Sequence, residues 1–102
     1  MALALNRFGG KGLYILDEPE AALSPTRQMA LLSRIHELIQ DDSQFIIATH
    51  SPILMAYPNA TRYLLEKGGP REVPYTETEH FQVTRNFLNN YESMLKILMD
   101  GE

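Results

Sequence analysis

The chain has 102 residues, of which 44% are hydrophobic, 9% aromatic and 22% charged. This composition predicts an ordered globular protein of one domain, because enough apolar surface is available for burial. A net charge of -4 gives no general attraction to nucleic acid or anionic lipid, and the absence of cysteine excludes disulfides and thiolate metal sites. No apolar run approaches the roughly 18 residues of a membrane span. We therefore expect a cytoplasmic protein without a membrane partner.

The first part of the chain predicts a helix end followed by a buried strand. Residues 1–8 have the character of the last turns of a helix, which Gly9-Gly10 would close. Leu13–Leu16 is a continuous apolar run, as expected of a strand covered on both faces. This run stops at two adjacent acids, Asp17 and Glu18, at the carboxyl end of the strand. Ligands bind at this end of the strands in open α/β sheets.

One sequence pattern then occurs twice: an apolar strand that ends in a polar residue (the strand tip), followed by a Ser-Pro pair and a helix. Ser24-Pro25 predicts an N-cap with proline at the first helical position, and helical spacing continues to about Gln40. The stretch "QFIIATH" predicts the second buried strand, and Ser51-Pro52 follows it at once as the start of a short helix. Two strand tips are thereby expected at one edge of a sheet.

The remaining segments complete an alternation of strands and helices. "RYLLEK" predicts a third strand and "REVPY" a fourth, which Pro74 restricts to a sheet edge. Thr76 and Glu79 have the spacing of a capping box at a helix start, and Asn89-Asn90 separates that helix from a last amphipathic one. The pattern predicts an α/β fold with a parallel sheet, flanking helices and a C-terminal helical pair.

The polar residues at the strand tips could serve different functions in one site. Asp17 and Glu18 diverge by strand alternation, so one carboxylate can hold Mg²⁺ through water while the other orients an attacking water. His50, at the tip of the second strand, can donate a hydrogen bond to a phosphate oxygen. The alternatives are a solvated acidic turn and a structural histidine. Glu20 is expected to be exposed or to act as a helix-entry charge.

These motifs together resemble the second half of an ABC-type ATPase nucleotide-binding domain. The apolar run of "GLYILDEPEAALSP" that ends in Asp17-Glu18 resembles a Walker B motif, and His50 in "FIIATHSP" falls at the switch histidine. Ala21-Ala22-Leu23-Ser24 falls at the D-loop, although Ser24 stands where an aspartate is common. "EPE" and "LSP" are closer to soluble ABC-type ATPases than to transporters, and the tail "ETEHFQVTRNFLNN" is similar to that of small bacterial predicted ATPases.

The resemblance implies a role for each matching position. Asp17 would help to hold the Mg²⁺ of Mg-ATP, Glu18 would polarise the hydrolytic water, and His50 would contact the γ-phosphate. Ala21–Ser24 would face the partner subunit across a dimer that encloses ATP. The implied fold is a partial P-loop NTPase of the ABC type, and residues 1–102 would form a single truncated domain, the C-terminal half.

The sequence has no P-loop, glutamine loop or ABC signature motif. In "RFGGKGLY" Gly12, instead of Ser or Thr, follows Lys11, and the segment precedes a strand. ATP and Mg²⁺ are therefore expected to bind tightly only in a complete module, and the isolated chain is expected to be inactive. The expected partner is the missing N-terminal half or a second subunit. A nucleic-acid partner stays open without support from any sequence feature.

The family sheet order implies a gap between the His50 strand and the "RYLLEK" strand. The isolated chain would close this gap by direct pairing, or fill it by forming a homodimer or by swapping elements. An alternative function is a non-catalytic interaction or regulatory fragment that associates through exposed strand edges and its C-terminal helices. A third is a metal hydrolase that uses Asp17, Glu18 and His50.

Overall fold

The strands of the first unit, Met1–Pro58, form one mixed sheet. The computed structural model describes residues 2–8 and 11–100. Within them the sheet has the order β1 (Ala2–Phe8), β2 (Lys11–Asp17) and β3 (Gln44–Ala48). β1 pairs antiparallel with β2, and β2 pairs parallel with β3. The α/β prediction is confirmed, whereas the prediction of a wholly parallel sheet is wrong.

The N-terminal segment is a strand, which corrects the predicted helix end over residues 1–8. Ala2–Phe8 pairs along β2, from Ala2 opposite Leu16 to Phe8 opposite Lys11. Its sequence begins with a two-residue alternation of Ala and Leu, which suits a strand as well as a helix. Pairing with the apolar β2 decides between the two, because it satisfies the backbone groups along one edge of that strand. The predicted helix stop at Gly9-Gly10 lies outside the described residues.

Helix α1 (Pro25–Gln40) begins and ends where the sequence predicts. The Ser24 hydroxyl accepts a hydrogen bond of 3.2 Å from Arg27 N, and proline occupies the first turn. α1 packs against β3 and against a 3₁₀ helix at Leu54–Ala56, which is the short helix predicted after Ser51-Pro52. Among residues 11–58 the buried apolar side chains are Leu16, Ile35 and Leu54.

The second unit, Asn59–Glu102, holds a strand hairpin and the C-terminal helices. β4 (Tyr63–Glu66) pairs antiparallel with β5 (Gly69–Glu72). A 3₁₀ helix at Tyr75–Glu77 leads to α2 (Glu79–Asn89), and α3 (Tyr91–Asp100) follows. The predicted helical pair and its break at Asn89-Asn90 are confirmed.

The cap of α2 differs from the predicted capping box. Thr78, rather than Thr76, is the N-cap, and its hydroxyl accepts a hydrogen bond of 3.1 Å from Phe81 N. The Thr76 carbonyl instead accepts a hydrogen bond from the Gln82 side chain. Thr78 is buried, so its hydroxyl is placed by packing as well as by sequence spacing.

The hairpin forms a sheet of its own. In the described part of the chain β4 pairs with β5 in a two-stranded sheet. Closure of the predicted gap, by direct pairing or by association with another chain, stays a prediction. None of the helices formed by residues 11–100 has the length and hydropathy that a membrane-spanning helix needs.

Candidate active site at two parallel strand tips

The parallel pair β2 and β3 brings the two polar strand tips to one edge of the sheet. Asp17, the last residue of β2, lies opposite Ala48, the last residue of β3. One residue further, Glu18 N donates a hydrogen bond of 2.7 Å to the Ala48 carbonyl. This bond extends the ladder past the strand ends, so the segments that follow the two strands leave the sheet side by side.

Glu18 turns the chain sharply away from the sheet. Its backbone is left-handed, with φ of 47° and ψ of 54°, and it precedes a 3₁₀ helix at Pro19–Ala22. The Glu18 carboxylate Oε1 lies 3.8 Å from His50 Nε2, and their side chains are 57% and 74% exposed. A solvent-exposed pair of this kind adds little to folding stability. Both groups are instead accessible to a ligand at this edge.

Asp17 is exposed beside Glu18 at the end of β2. Its carboxylate supplies the oxygen donor that Mg²⁺ prefers, and Mg²⁺ typically keeps several water ligands when one or two carboxylates bind it. The donor chemistry of Asp17 therefore fits the predicted ion. Within residues 2–8 and 11–100 no group of three or more His, Asp or Glu side chains is arranged to hold a metal. The metal-hydrolase alternative gains no support from this arrangement.

Glu20 joins the two tips. It lies half-buried in the first turn of the 3₁₀ helix, so the helix-entry expectation is confirmed and the expectation of an exposed residue is wrong. Its Oε1 accepts a hydrogen bond of 2.6 Å from the Thr49 hydroxyl, and its Oε2 accepts one of 2.9 Å from His50 N. Partial burial by itself raises the pKa of the Glu20 carboxyl, but the hydrogen bonds from Thr49 and His50 outweigh it and hold the pKa below its ordinary value of 4.5. The carboxylate is thus the favoured form in the folded chain.

The residues that resemble a D-loop connect to the segment after His50. Ala21 and Ala22 are exposed in the 3₁₀ helix, Leu23 is half-buried, and Ser24 caps α1. The Leu23 carbonyl accepts a hydrogen bond of 3.1 Å from Gln28 Nε2. These residues therefore form an exposed turn that is fixed at its C-terminal end.

Two polar residues extend this connection: Ser51, which the sequence predicts only as a helix start, and Gln28, which the sequence does not single out. Gln28 Oε1 accepts a hydrogen bond from the Ser51 hydroxyl. The same hydroxyl accepts bonds of 3.1 Å from the backbone N–H groups of Ile53 and Leu54. A sequence signal for Ser51 existed in its Ser-Pro context, which indicates a cap. Gln28 had none, because its partners come from other parts of the chain.

Lys11 does not occupy a P-loop position. It is the first residue of β2 and pairs with Phe8 of β1, so a strand follows it where a P-loop has a helix. Its ammonium lies 3.9 Å from the Asp42 carboxylate on the surface. Lys11 and Gly12 therefore open a strand, as the sequence indicates for the part of this segment that the structure describes.

Comparison with known protein families decides the general class. Residues 1–56 match the family described as "AAA domain, putative AbiEii toxin, Type IV TA system". The chain belongs to this family. The AAA domain match indicates a P-loop NTPase type and nucleoside-triphosphatase function at a general level, and it spans every predicted site residue from Asp17 to His50. No curated protein and no solved structure matches the chain.

Proposed function

We propose that this chain carries the Walker B acids, the D-loop and the switch histidine of an ABC-type ATPase. The observation that carries the proposal is the position of Glu18 Oε1, 3.8 Å from His50 Nε2, beside Asp17 at the tips of parallel strands. A carboxylate and an imidazole at this distance can both contact one water molecule, which donates to the carboxylate and accepts from the imidazole N–H. Membership of the AAA domain family supports nucleotide as the ligand.

Each group has a role that its chemistry suits. Asp17 helps to hold the Mg²⁺ of Mg-ATP through water, since its carboxylate is exposed at the strand end. Glu18 accepts a hydrogen bond from the attacking water and orients it. His50 donates a hydrogen bond to the γ-phosphate, where negative charge is concentrated. Ala21–Ser24 form the exposed turn that meets a second subunit.

The phosphate cradle comes from outside this chain. Tight ATP binding needs backbone N–H groups and a lysine around the phosphates, and β2 leads into the 3₁₀ helix at Pro19–Ala22 instead of such a loop. The proposed partner is an N-terminal half or a second subunit that supplies this loop. The chain alone is expected to hold Mg-ATP weakly and to lack turnover.

Local paramagnetic broadening tests the proposal without requiring tight binding. We expect millimolar Mn²⁺-ATP to broaden the NMR signals of residues 17–24 and 49–51 in the isolated chain. Asp17→Asn should remove most of this effect, because it removes the metal-binding carboxylate. Asp41→Asn serves as the matched control, since Asp41 is an exposed aspartate at the other end of α1. Equal broadening in both variants, or none at the strand tips, would contradict the proposal.

Exposed apolar side chains on α3 favour a second candidate, a non-catalytic fragment that associates with another copy of the chain. Ile97, Leu98 and Met99 are 57%, 70% and 78% exposed. Sedimentation of the wild type, Leu98→Lys and the surface control Glu92→Gln distinguishes the candidates. The second candidate would be favoured if the chain associates, if Leu98→Lys but not Glu92→Gln abolishes the association, and if Mn²⁺-ATP causes no broadening.

A further inference from the structure

Glu20 makes two hydrogen bonds to consecutive residues of one turn. Oε1 accepts from the Thr49 side chain and Oε2 accepts from the His50 backbone. Thr49 Oγ1 also accepts a hydrogen bond of 3.0 Å from Ser51 N, which directs the hydroxyl proton toward Glu20. One carboxylate thus holds both the Thr49 hydroxyl and the N–H of the Thr49-His50 peptide.

The same carboxylate is attached firmly to the Glu18 side of the site. Glu20 lies in the 3₁₀ helix that begins directly after Glu18, and Ala21 N donates a hydrogen bond of 3.1 Å to the Glu18 carbonyl. Leu23 N donates one of 2.9 Å to the Glu20 carbonyl. These backbone bonds link Glu18 and Glu20 within one turn, and the Glu20 carboxylate links that turn to His50 N.

The His50 side chain is 74% exposed, so packing contributes little to its placement. We propose that Glu20 is a positioning residue, which acts through the Thr49-His50 backbone to hold the His50 ring beside Glu18. This role rests on the proposed function, in which Glu18 and His50 act on the same ligand. Glu20 itself needs no contact with the ligand to perform it.

A role for Glu20 in fold stability alone predicts a different effect of removing its two hydrogen bonds. If the two hydrogen bonds only stabilised the fold, their removal would lower the unfolding temperature. The ring of His50 would still sense Glu18 in every molecule that stays folded. A positioning role requires that removal of the bonds also separates His50 from Glu18 in the folded chain.

The test measures how the His50 ring responds to Glu18→Gln, by the NMR shifts of its ring nitrogens at fixed neutral pH without nucleotide. Glu18→Gln neutralises a charge 3.8 Å from Nε2, so we expect a clear shift in the wild-type background. In the Glu20→Gln background we expect most of that response to be lost, because glutamine offers one acceptor oxygen where the carboxylate offers two.

Thr49→Val and Thr49→Ser provide a milder matched pair. Valine removes the hydroxyl and keeps the shape, whereas serine keeps the hydroxyl. We expect the response of His50 to Glu18→Gln to fall in Thr49→Val and to persist in Thr49→Ser. This pair keeps the proposal testable if Glu20→Gln does not fold.

Two results would overturn the positioning role: an unchanged response in Glu20→Gln and Thr49→Val, or no response in the wild type. Because nucleotide is absent from this test, its outcome is independent of the Mn²⁺-ATP experiment. Loss of nucleotide broadening with an intact positioning effect would reject the ATPase function alone. Intact broadening without the positioning effect would reject the role of Glu20 alone.

Discussion

The rings of Tyr14 and Phe45 stack across the parallel strands β2 and β3, with centroids 4.8 Å apart and planes inclined by 12°. The two residues are also direct partners in the strand register. This register places Asp17 opposite Ala48. A slip of one residue would turn every side chain of the strand to the other face, so the stacked pair helps to fix the geometry of the site.

A double-mutant cycle of Tyr14→Leu and Phe45→Leu should give a coupling of about 0.5 to 1.5 kcal/mol in the free energy of unfolding, since stacked aromatic pairs contribute beyond their buried area. Urea denaturation of the four proteins measures it. Ile46 is 56% exposed and alternates to the opposite face, so a cycle of Tyr14→Leu with Ile46→Ala should be close to additive. Additivity of the aromatic cycle would show that the rings do not set the register.

Gly12 is buried under the Tyr14 ring. A Cβ at this position would lie 2.9 Å from Tyr14 Cε2, which is closer than carbon atoms tolerate. We expect Gly12→Ala to lower the free energy of unfolding by about 1 to 3 kcal/mol, because the ring must move within the sheet. Gly68→Ala is the control, since no atom lies within 4 Å of the added carbon. If thermal denaturation showed the same loss of stability in Gly12→Ala and Gly68→Ala, contact with the Tyr14 ring would not be the cause.

Ser24 is predicted to stabilise the start of α1 through its side chain. Ser24→Ala removes the hydrogen bond accepted from Arg27 N and should cost about 1 kcal/mol of unfolding free energy. Ser24→Asp keeps an acceptor at the N-cap and should retain wild-type stability within a few tenths of a kcal/mol. Chemical denaturation compares the three. If Asp were as destabilising as Ala, the cap would not be the reason for serine at this position.

Glu20 should make folding stability depend on pH in the acidic range. Its pKa is lowered in the folded chain, so the folded state binds fewer protons than the unfolded state around and below pH 4.5. The stabilisation is therefore fully present above the unfolded pKa and is lost as the pH falls through the folded pKa.

Urea denaturation across pH 7 to about pH 3 measures this contribution. The difference in stability between wild type and Glu20→Gln should shrink as the pH falls. Glu37→Gln is the matched control, because Glu37 is exposed on α1 and its ion pair with Arg34 is a surface one. A wild-type advantage that persists unchanged at low pH would show that the carboxylate charge is not what Thr49 and His50 stabilise.

The elements that the sequence predicted well carry their signals locally. α1 has a serine cap, a proline in the first turn and helical spacing to Gln40, so both of its ends were predictable. Ala2–Phe8 carries no such signal, and a non-local partner, β2, determines its structure. The cap at Thr78 depends on packing in the same way, because this residue is buried among neighbours that spacing cannot identify.

In the candidate site, too, the predictable residues are those with a local sequence signal. The order of Asp17, Glu18 and His50 at strand ends was predictable, because apolar runs and their polar tips are visible in the sequence. The role of Glu20 was not, since its partners lie 29 and 30 positions further along the chain. Only the parallel register of β2 and β3 brings these donors to it.

Because the backbone of Glu18 is left-handed, different replacements at this position should change stability in different directions. A non-glycine residue in that conformation carries a cost of order 1 kcal/mol, which glycine avoids and asparagine reduces. The most stable version of this turn would therefore have no carboxylate at all. In a library of variants, selection for thermal stability should replace Glu18 readily. Selection for an activity that needs this carboxylate should keep Glu18 despite its cost in stability.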